Sequence, residues 1–160
     1  MQAMRNSMAQ EGLVKTRWMI RGDCDSVARI AKNAMVHRRP ISARESQIAL
    51  RQKTVVGAIA EDVNGGVLGF CFLDSSDEAI ASIVLLVVDH KWHRCGVGTE
   101  LMNHVERICR HLGYAKFSVM VHEREFEAQK FFADRGYRCT FIHQRFDGDD
   151  AGYYFIKEIT

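Results

Sequence analysis

The chain has 160 residues, 47% hydrophobic and 26% charged, with one proline, five cysteines and a formal net charge of +2 at pH 7. Length and composition fit one globular domain burying roughly two-thirds of its unfolded surface. The near-balanced charge argues against a nucleic-acid surface, and no apolar run approaches the ~20 residues of a membrane span. Five scattered cysteines without a CxxC pair exclude a disulfide framework or a zinc site and point to reduced thiols in a cytoplasmic protein.

Residues 1–14, opening MQAMRNSMAQEG, lack the apolar core of a signal peptide and read as a flexible tail. Residues 15–160 carry no repeat, low-complexity tract or linker and read as a single domain. Thr16 to Ile20 is a short β segment. Asp23 is placed to cap a helix whose apolar positions Val27, Ile30, Ala31, Ala34 and Met35 recur at helical spacing. Ser42 is placed to cap a second helix over Ala43 to Arg51. The period then changes: Thr54 to Glu61 and Val67 to Asp74 are β-rich runs joined by DVNGG, whose Asn64-Gly65 pair is a strong hairpin signal. Ile80 to Val88, read as IASIVLLVV, fits a strand buried on both faces.

From Gly96 the period is helical again. Leu101, Met102, Val105, Ile108, Cys109 and Leu112 form one stripe, ended by Gly113. Phe117 to Val121 is a strand, and Glu125 to Arg135 is a helix closed by Gly136. Tyr137 to Gln144 and Tyr153 to Ile159 are two last strands around the acidic turn DGDD. The order β-α-α-β-β-β-α-β-α-β-β is α/β with a sheet that is not all parallel.

Between strand and helix stands WHRCGVGTELM, Trp92 to Met102. First-turn N–H groups lack an intrahelical partner and the helix dipole favours negative charge, so a glycine-rich entrance is an anion site. Gly96 and Gly98 allow backbone to approach a ligand that a Cβ would push away. A Walker A loop would need a Lys that is absent after Gly98, and a dinucleotide fingerprint would need glycine where Leu101 stands.

The segment VVDHKWHRCGVGTELMNHVERICRHLGY resembles motif A of the GNAT superfamily of N-acetyltransferases, and VHEREFEAQKFFADRGY resembles its motif B. Both occur in order and in register, and the likeness runs from Thr16 to about Ile159. Within the superfamily the chain is most similar to bacterial enzymes that acetylate ribosomal-protein N-termini at alanine, through WMIRGDCDSVARIAK, the AQKFF helix and GYYFIKEI. The resemblance implies a GNAT-like single domain, a mixed and mostly antiparallel central sheet flanked by helices, with strands splayed after Val88 and Val121. It implies acetyl-CoA as cosubstrate. Carried over by position, the backbone of Leu86, Val87 and Val88 pairs with the pantetheine arm, and the N–H groups of Arg94, Cys95, Gly96, Val97, Gly98 and Thr99 cradle the pyrophosphate. No metal is implied. The partner is an amine acceptor, a protein N-terminus or a small molecule, and a homodimer is left open.

Three positions depart from the pattern at the reacting end. Phe132 stands where the family often has a proton-donating Tyr, Met120 where it has a carboxylate, and Glu125 where it has Asn. His93 replaces the usual Arg or Gln. A positioned acid or base contributes roughly 10²–10⁴-fold, so one loss slows transfer without abolishing it. An α-amine, with a pKa of about 7.7–8.0, is partly neutral at pH 7, whereas a Lys amine at about 10.4 is not, so a base-poor site suits an α-amine. His122 alternates with Met120 along the strand and is a candidate base; Glu125 is another, or a favourable first-turn charge. Tyr153 and Tyr154 are candidates to close the acceptor site, and Asp147, Asp149 and Asp150 to attract a cationic amine. Cys95, near a helix N-terminus, has no base beside it in the sequence, which favours direct transfer in a ternary complex over a covalent route. Two rival readings are a catalytically silent acyl-CoA-binding regulatory module and a small-molecule, polyamine-like acetyltransferase.

Overall fold

The structure is a computed structural model that describes residues 12–159. The expected tail lies, as far as residue 11, outside the described residues. The elements are β1 (Lys15–Trp18), α1 (Cys24–Ala34), α2 (Ala43–Arg51), β2 (Val55–Glu61), β3 (Val67–Asp74), β4 (Ile80–Val88), α3 (Val97–His111), β5 (Lys116–His122), α4 (Phe126–Asp134), β6 (Arg138–Asp147) and β7 (Asp150–Glu158). Short 3₁₀ turns cover Arg21–Asp23 and His90–Trp92. The strands form one sheet in the order β1-β2-β3-β4-β5-β7-β6, in which only the β4–β5 pair is parallel.

Both faces of the sheet are covered, as two amphipathic layers require. On one face α3 buries Leu101, Met102, Val105 and Cys109 against Ala81, Ile83, Phe117, Val119 and Phe155. On the other, α1 buries Val27, Ile30 and Ala31 against Ile59, Phe70 and Phe72. Each large side chain so removed from water stabilises the fold by about 1.5–3 kcal/mol. Most of each helical stripe legible in the sequence lies on these core faces, whereas Leu112, just past the end of α3, is 70% exposed.

Two caps behave differently. Ser42 accepts the Glu45 amide at 3.1 Å while the Glu45 carboxylate reaches back to the Ser42 amide, a full capping box. Asp23 stands at the expected N-cap of α1 but makes no side-chain cap. Its carboxylate instead accepts both Arg17 nitrogens at 2.8 Å and the Ile20 amide at 2.8 Å. A bidentate charge-assisted pair outweighs a single cap bond. Chiefly through the Arg17 bonds, and against its burial, the Asp23 carboxyl is held below the usual carboxylate range.

The β4 run is not buried on both faces throughout. Phe72 pairs with Leu85 while Leu73 pairs with Ile83, so Val84 is an extra residue, a β-bulge, and it is 48% exposed. The parallel β4–β5 ladder runs from Ile80↔Lys116 to Ile83↔Val119 and stops there. The strands therefore part after Ile83 and Val119, five and two residues earlier than the resemblance implied. Bulge and splay coincide: the kink at Val84 swings the second half of β4 away from β5.

Candidate functional site

The parted strands bound a cleft of about 800 Å³. One wall is the second half of β4, Val84 to Val88. The floor is the loop entering α3, and the opposite wall is α4 with Phe131 and Phe132. Beyond them the lining passes to Met35 through Arg38 after α1, and to Met120, Arg124 and Glu125.

Backbone direction alternates along a strand, and it fixes which β4 groups face the cleft. The Asp89 amide donates to the Leu68 carbonyl at 2.8 Å, on the β3 side, and Val87 pairs with Phe70 two residues earlier. Val87 thus turns its own amide and carbonyl to β3, correcting the expectation that it would pair with a ligand. Leu86 and Val88 turn theirs to the cleft. The Val88 carbonyl lies 2.9 Å from His93 Nε2, so the residue in the Arg/Gln position touches this edge.

At the loop, Gly96 takes φ +85° and Arg94 φ +60°, left-handed values that curl the chain under the first turn of the 15-residue helix α3. Arg94, Gly96, Val97, Gly98 and Thr99 line the cleft, with Trp92 and His93 beside them. A Cβ on Gly98 would lie 3.6 Å from the Phe131 ring and 3.7 Å from Val88, within the space between β4 and α4. Cys95 does not line the cleft: its thiol is buried and lies 3.3 Å from the His93 carbonyl. Across the mouth, Arg94 pairs with Glu127 of α4 at 2.9 Å. An open strand edge leading to unpaired helix amides fits an extended ligand that ends in an anionic group.

The end of the cleft where the resemblance places the chemistry is hydrocarbon. Phe132 is buried, its ring edge-on to Phe131 at 5.2 Å and to Tyr137 at 5.1 Å, and Met120 lies across the cleft. The neighbouring phenol does not replace the missing one. Tyr137 donates its hydroxyl to Glu106 at 2.9 Å, and burial, then the Glu106 charge, push that phenol far above its usual value. Glu106 itself is a buried carboxylate ringed by Tyr137, Arg135 at 3.1 Å and Lys157 at 3.1 Å. Burial raises its carboxyl, but these partners together outweigh it and hold it low.

His122 is fully buried and does not line the cleft. Its Nδ1 accepts the Arg124 amide at 3.1 Å, so a neutral ring carries its proton on Nε2. That nitrogen faces Asp150 at 3.3 Å and Asp147 at 3.6 Å. His37, from the segment after α1, stacks on the ring at 6.1 Å with the planes 15° apart. Glu125 does line the cleft, half-buried at the start of α4, and makes no side-chain cap. Tyr153 packs into the α3 side of the core, and neither it nor Tyr154 lines the cleft. In the acidic turn Asp147 and Asp150 face His122, and Asp150 also takes Arg124 at 3.2 Å. Two of the three aspartates expected to attract a cation are therefore already matched by the protein's own groups.

Arg38, which sequence reasoning passed over, also lines the cleft, with its guanidinium carbon 5.1 Å from the centre of the Phe146 ring. Nothing in the local sequence marks this contact, which depends on how β6 ends. Among the described residues no group of three or more His, Cys, Asp or Glu is placed to hold a metal ion, and no helix is long and apolar enough to cross a membrane.

Residues 24–137 match the family profile described as acetyltransferase (GNAT) family. No curated protein sequence matches the chain. Among solved structures, Ard1 from Thermoplasma volcanium superposes with a TM-score of 0.83 at 22% identity, covering 92% of this chain and 99% of that one. The ribosomal-protein-S18-alanine N-acetyltransferase from Escherichia coli gives 0.79 at 19% identity, with 92% and 94% covered. NAA60 from Arabidopsis thaliana, in complex with acetyl-CoA, gives 0.77 at 15% identity, with 91% and 98% covered.

Proposed function

The chain belongs to the acetyltransferase (GNAT) family, and from that premise we propose that it is an acetyl-CoA-dependent N-acetyltransferase acting on an α-amine by direct transfer in a ternary complex. The observation that carries this reading is the meeting, in one cleft, of the β4 edge that β5 leaves beyond Ile83 with the glycine loop under α3. Leu86 and Val88 would hold the pantetheine amides as a strand holds its neighbour, and the backbone around Arg94 to Thr99 would take the pyrophosphate. When bound, acetyl-CoA supplies an acetyl thioester.

The chain's own residues do the rest. The hydrocarbon walls at Phe132, Phe131 and Met120 exclude water from the reacting carbon. The amine nitrogen forms a bond to the acetyl carbon as the carbon–sulfur bond breaks. One amine proton leaves to Glu125, the carboxylate on the cleft wall, and the thiolate takes a proton from solvent. His122 does not take the amine proton in this reading: its free lone pair already accepts the Arg124 amide, so it holds the wall in place. A thiol with a pKa near 8.5 leaves tolerably as an anion, which fits a site where Phe132 has no proton to give. The acceptor's α-amine belongs to a peptide or to a small molecule. The neighbour named for alanine of a ribosomal protein supports the first, and the further inference below supports the second.

The hydrocarbon character of Phe132 and Met120 favours one rival, an acyl-CoA-binding module without turnover. Calorimetric titration with acetyl-CoA and with free CoA, followed by turnover on a broad amine panel, separates the two. Binding with turnover is the expected result; binding without turnover on any amine would establish the silent module, and absence of binding would remove both.

A further inference from the structure

We propose that the acceptor is a small amine bearing its own carboxylate, an α-amino acid or a close analogue, and that Arg38 binds that carboxylate. The inference rests on reading the cleft as an acyl-transfer site and narrows what enters its far end.

A chain of local exceptions in the fold serves one side chain. Arg145 adopts φ +56°, a left-handed value that an arginine takes only under constraint. The β6–β7 register breaks between His143 and Asp147 at the same place. Together these turn the end of β6 back over the sheet, so that Phe146 lies on β7 at Gly152. A Cβ on Gly152 would come 2.6 Å from the Phe146 ring and 2.9 Å from Met120 Sδ, so only glycine admits the ring there. Glycine inside a strand weakens it, and strained residues cluster where a ligand is held. What the strain and the glycine produce is a flat aromatic platform, and the guanidinium of Arg38 is seated on it at 5.1 Å.

Arg38 is half-buried, lines the cleft, and among the described residues has no carboxylate partner. Three nearby arginines, by contrast, are matched. Arg39 beside it holds Glu45 through two bonds of 2.9 Å, the geometry a carboxylate would take on Arg38. Arg124 holds Asp150, and Arg94 holds Glu127. The open fork of an arginine fixed by stacking is a bidentate carboxylate receptor. Size follows from the same contacts. The segment after α1 meets the end of β6 at Arg38 and Phe146, and the end of β5 at His37 and His122. A peptide leading out at this end would have to part them, whereas an amino acid would not.

The pairing has a chemical consequence. The carboxylate of an amino acid stabilises its own ammonium and withholds the neutral amine; neutralising that carboxylate with a guanidinium relieves this and lowers the amine pKa. Arg38 would thus bind the acceptor and supply more of its reactive form, in a site with few bases.

The test compares the wild-type chain with Arg38→Gln, using individual L-amino acids, the corresponding amino-acid amides, and short peptides with amidated C-termini. The expected wild-type preference for acid over amide in kcat/KM is about 10- to 100-fold, the range of one charge-assisted pair. Arg38→Gln should remove it by raising KM for acids alone, leave kcat at saturating neutral amine, and move the acid's pH–rate limb to higher pH. Acetyl-CoA affinity by calorimetry should not change. Equal rates on acid and amide, faster transfer to the amidated peptides, or an equal loss on all acceptors in Arg38→Gln would overturn the assignment. If no amine is turned over, the transferase reading fails, and binding decides Arg38 separately. CoA-loaded protein should then bind N-acetyl amino acids over their amides, with the preference lost in Arg38→Gln; binding without that preference would sink it.

Discussion

Replacing Gly98 with alanine separates what the loop does for the fold from what it does for a ligand. Gly98 is the second residue of α3 and does not occupy a left-handed conformation. The added methyl would meet Phe131 at 3.6 Å and Val88 at 3.7 Å, ordinary van der Waals contact without clash. Alanine in a helix is worth about 0.5–1 kcal/mol over glycine, which for a chain of this size raises Tm by ~1–4 °C. The same methyl stands in the cleft, over the amides proposed for the pyrophosphate. Loss of one charge-assisted hydrogen bond costs about 1.5–3 kcal/mol, or roughly 10- to 100-fold in affinity. Stability and acetyl-CoA affinity should therefore move in opposite directions, the first read by thermal unfolding and the second by calorimetric titration. A Gly98→Ala protein that binds like wild type would remove the ligand from the loop. A drop in Tm would show the glycine to be structural. Gly96→Ala is the internal control: at φ +85° it should cost about 1–2 kcal/mol of stability.

Glu106→Gln leaves Arg135 and Lys157 around a neutral amide and should destabilise by about 3–5 kcal/mol in urea unfolding at neutral pH. Its folded carboxyl lies below the ordinary 4.5; its stabilisation is complete above that value and drains as pH falls through the folded one. The gap between wild type and variant should accordingly close on acidification, and a gap unchanged at pH 3 would contradict the assignment. Phe132→Tyr puts a hydroxyl at the reacting end and should raise kcat about tenfold or more with KM steady; an unchanged kcat would mean that protonation of the leaving thiolate is not limiting.

The fold was legible where one physical signal dominates. The stripes of α1 and α3, the Ser42 box and the Asn64-Gly65 hairpin are local, and each stands where its residues point. Asp23 misled because the sequence does not reveal that Arg17, across the β1 turn, outcompetes the helix amides for its carboxylate. IASIVLLVV reads as uniformly buried because composition cannot register the one-residue surplus at Val84, which exists only in the pairing with β3. The glycine loop was legible as left-handed, close-approaching backbone because Gly96 and Gly98 mark it locally, and it lines the cleft. The far end was not. Arg38, Phe146 and Gly152 lie over a hundred residues apart from first to last, and their meeting depends on a bulge near Arg145 that carries no turn signature. The acidic turn reads in sequence as a lure for a cation, but Asp150 faces His122 and Arg124, partners that only the folded chain brings to it.

The bulge at Val84 also bears on solubility. A strand with unpaired amides and carbonyls is a template on which other chains add, and proteins normally blunt such edges with charge, proline or a covering element. The second half of β4 is apolar and carries neither charge nor proline. It is protected by position: the edge lies in the notch between β4 and β5, roofed by α4, and the two strands remain joined as far as Ile83 and Val119. A narrow extended chain can enter that notch and complete the ladder, whereas a sheet from another molecule cannot bring its own neighbours in with it. The geometry that admits a slender ligand thus also denies aggregation its foothold.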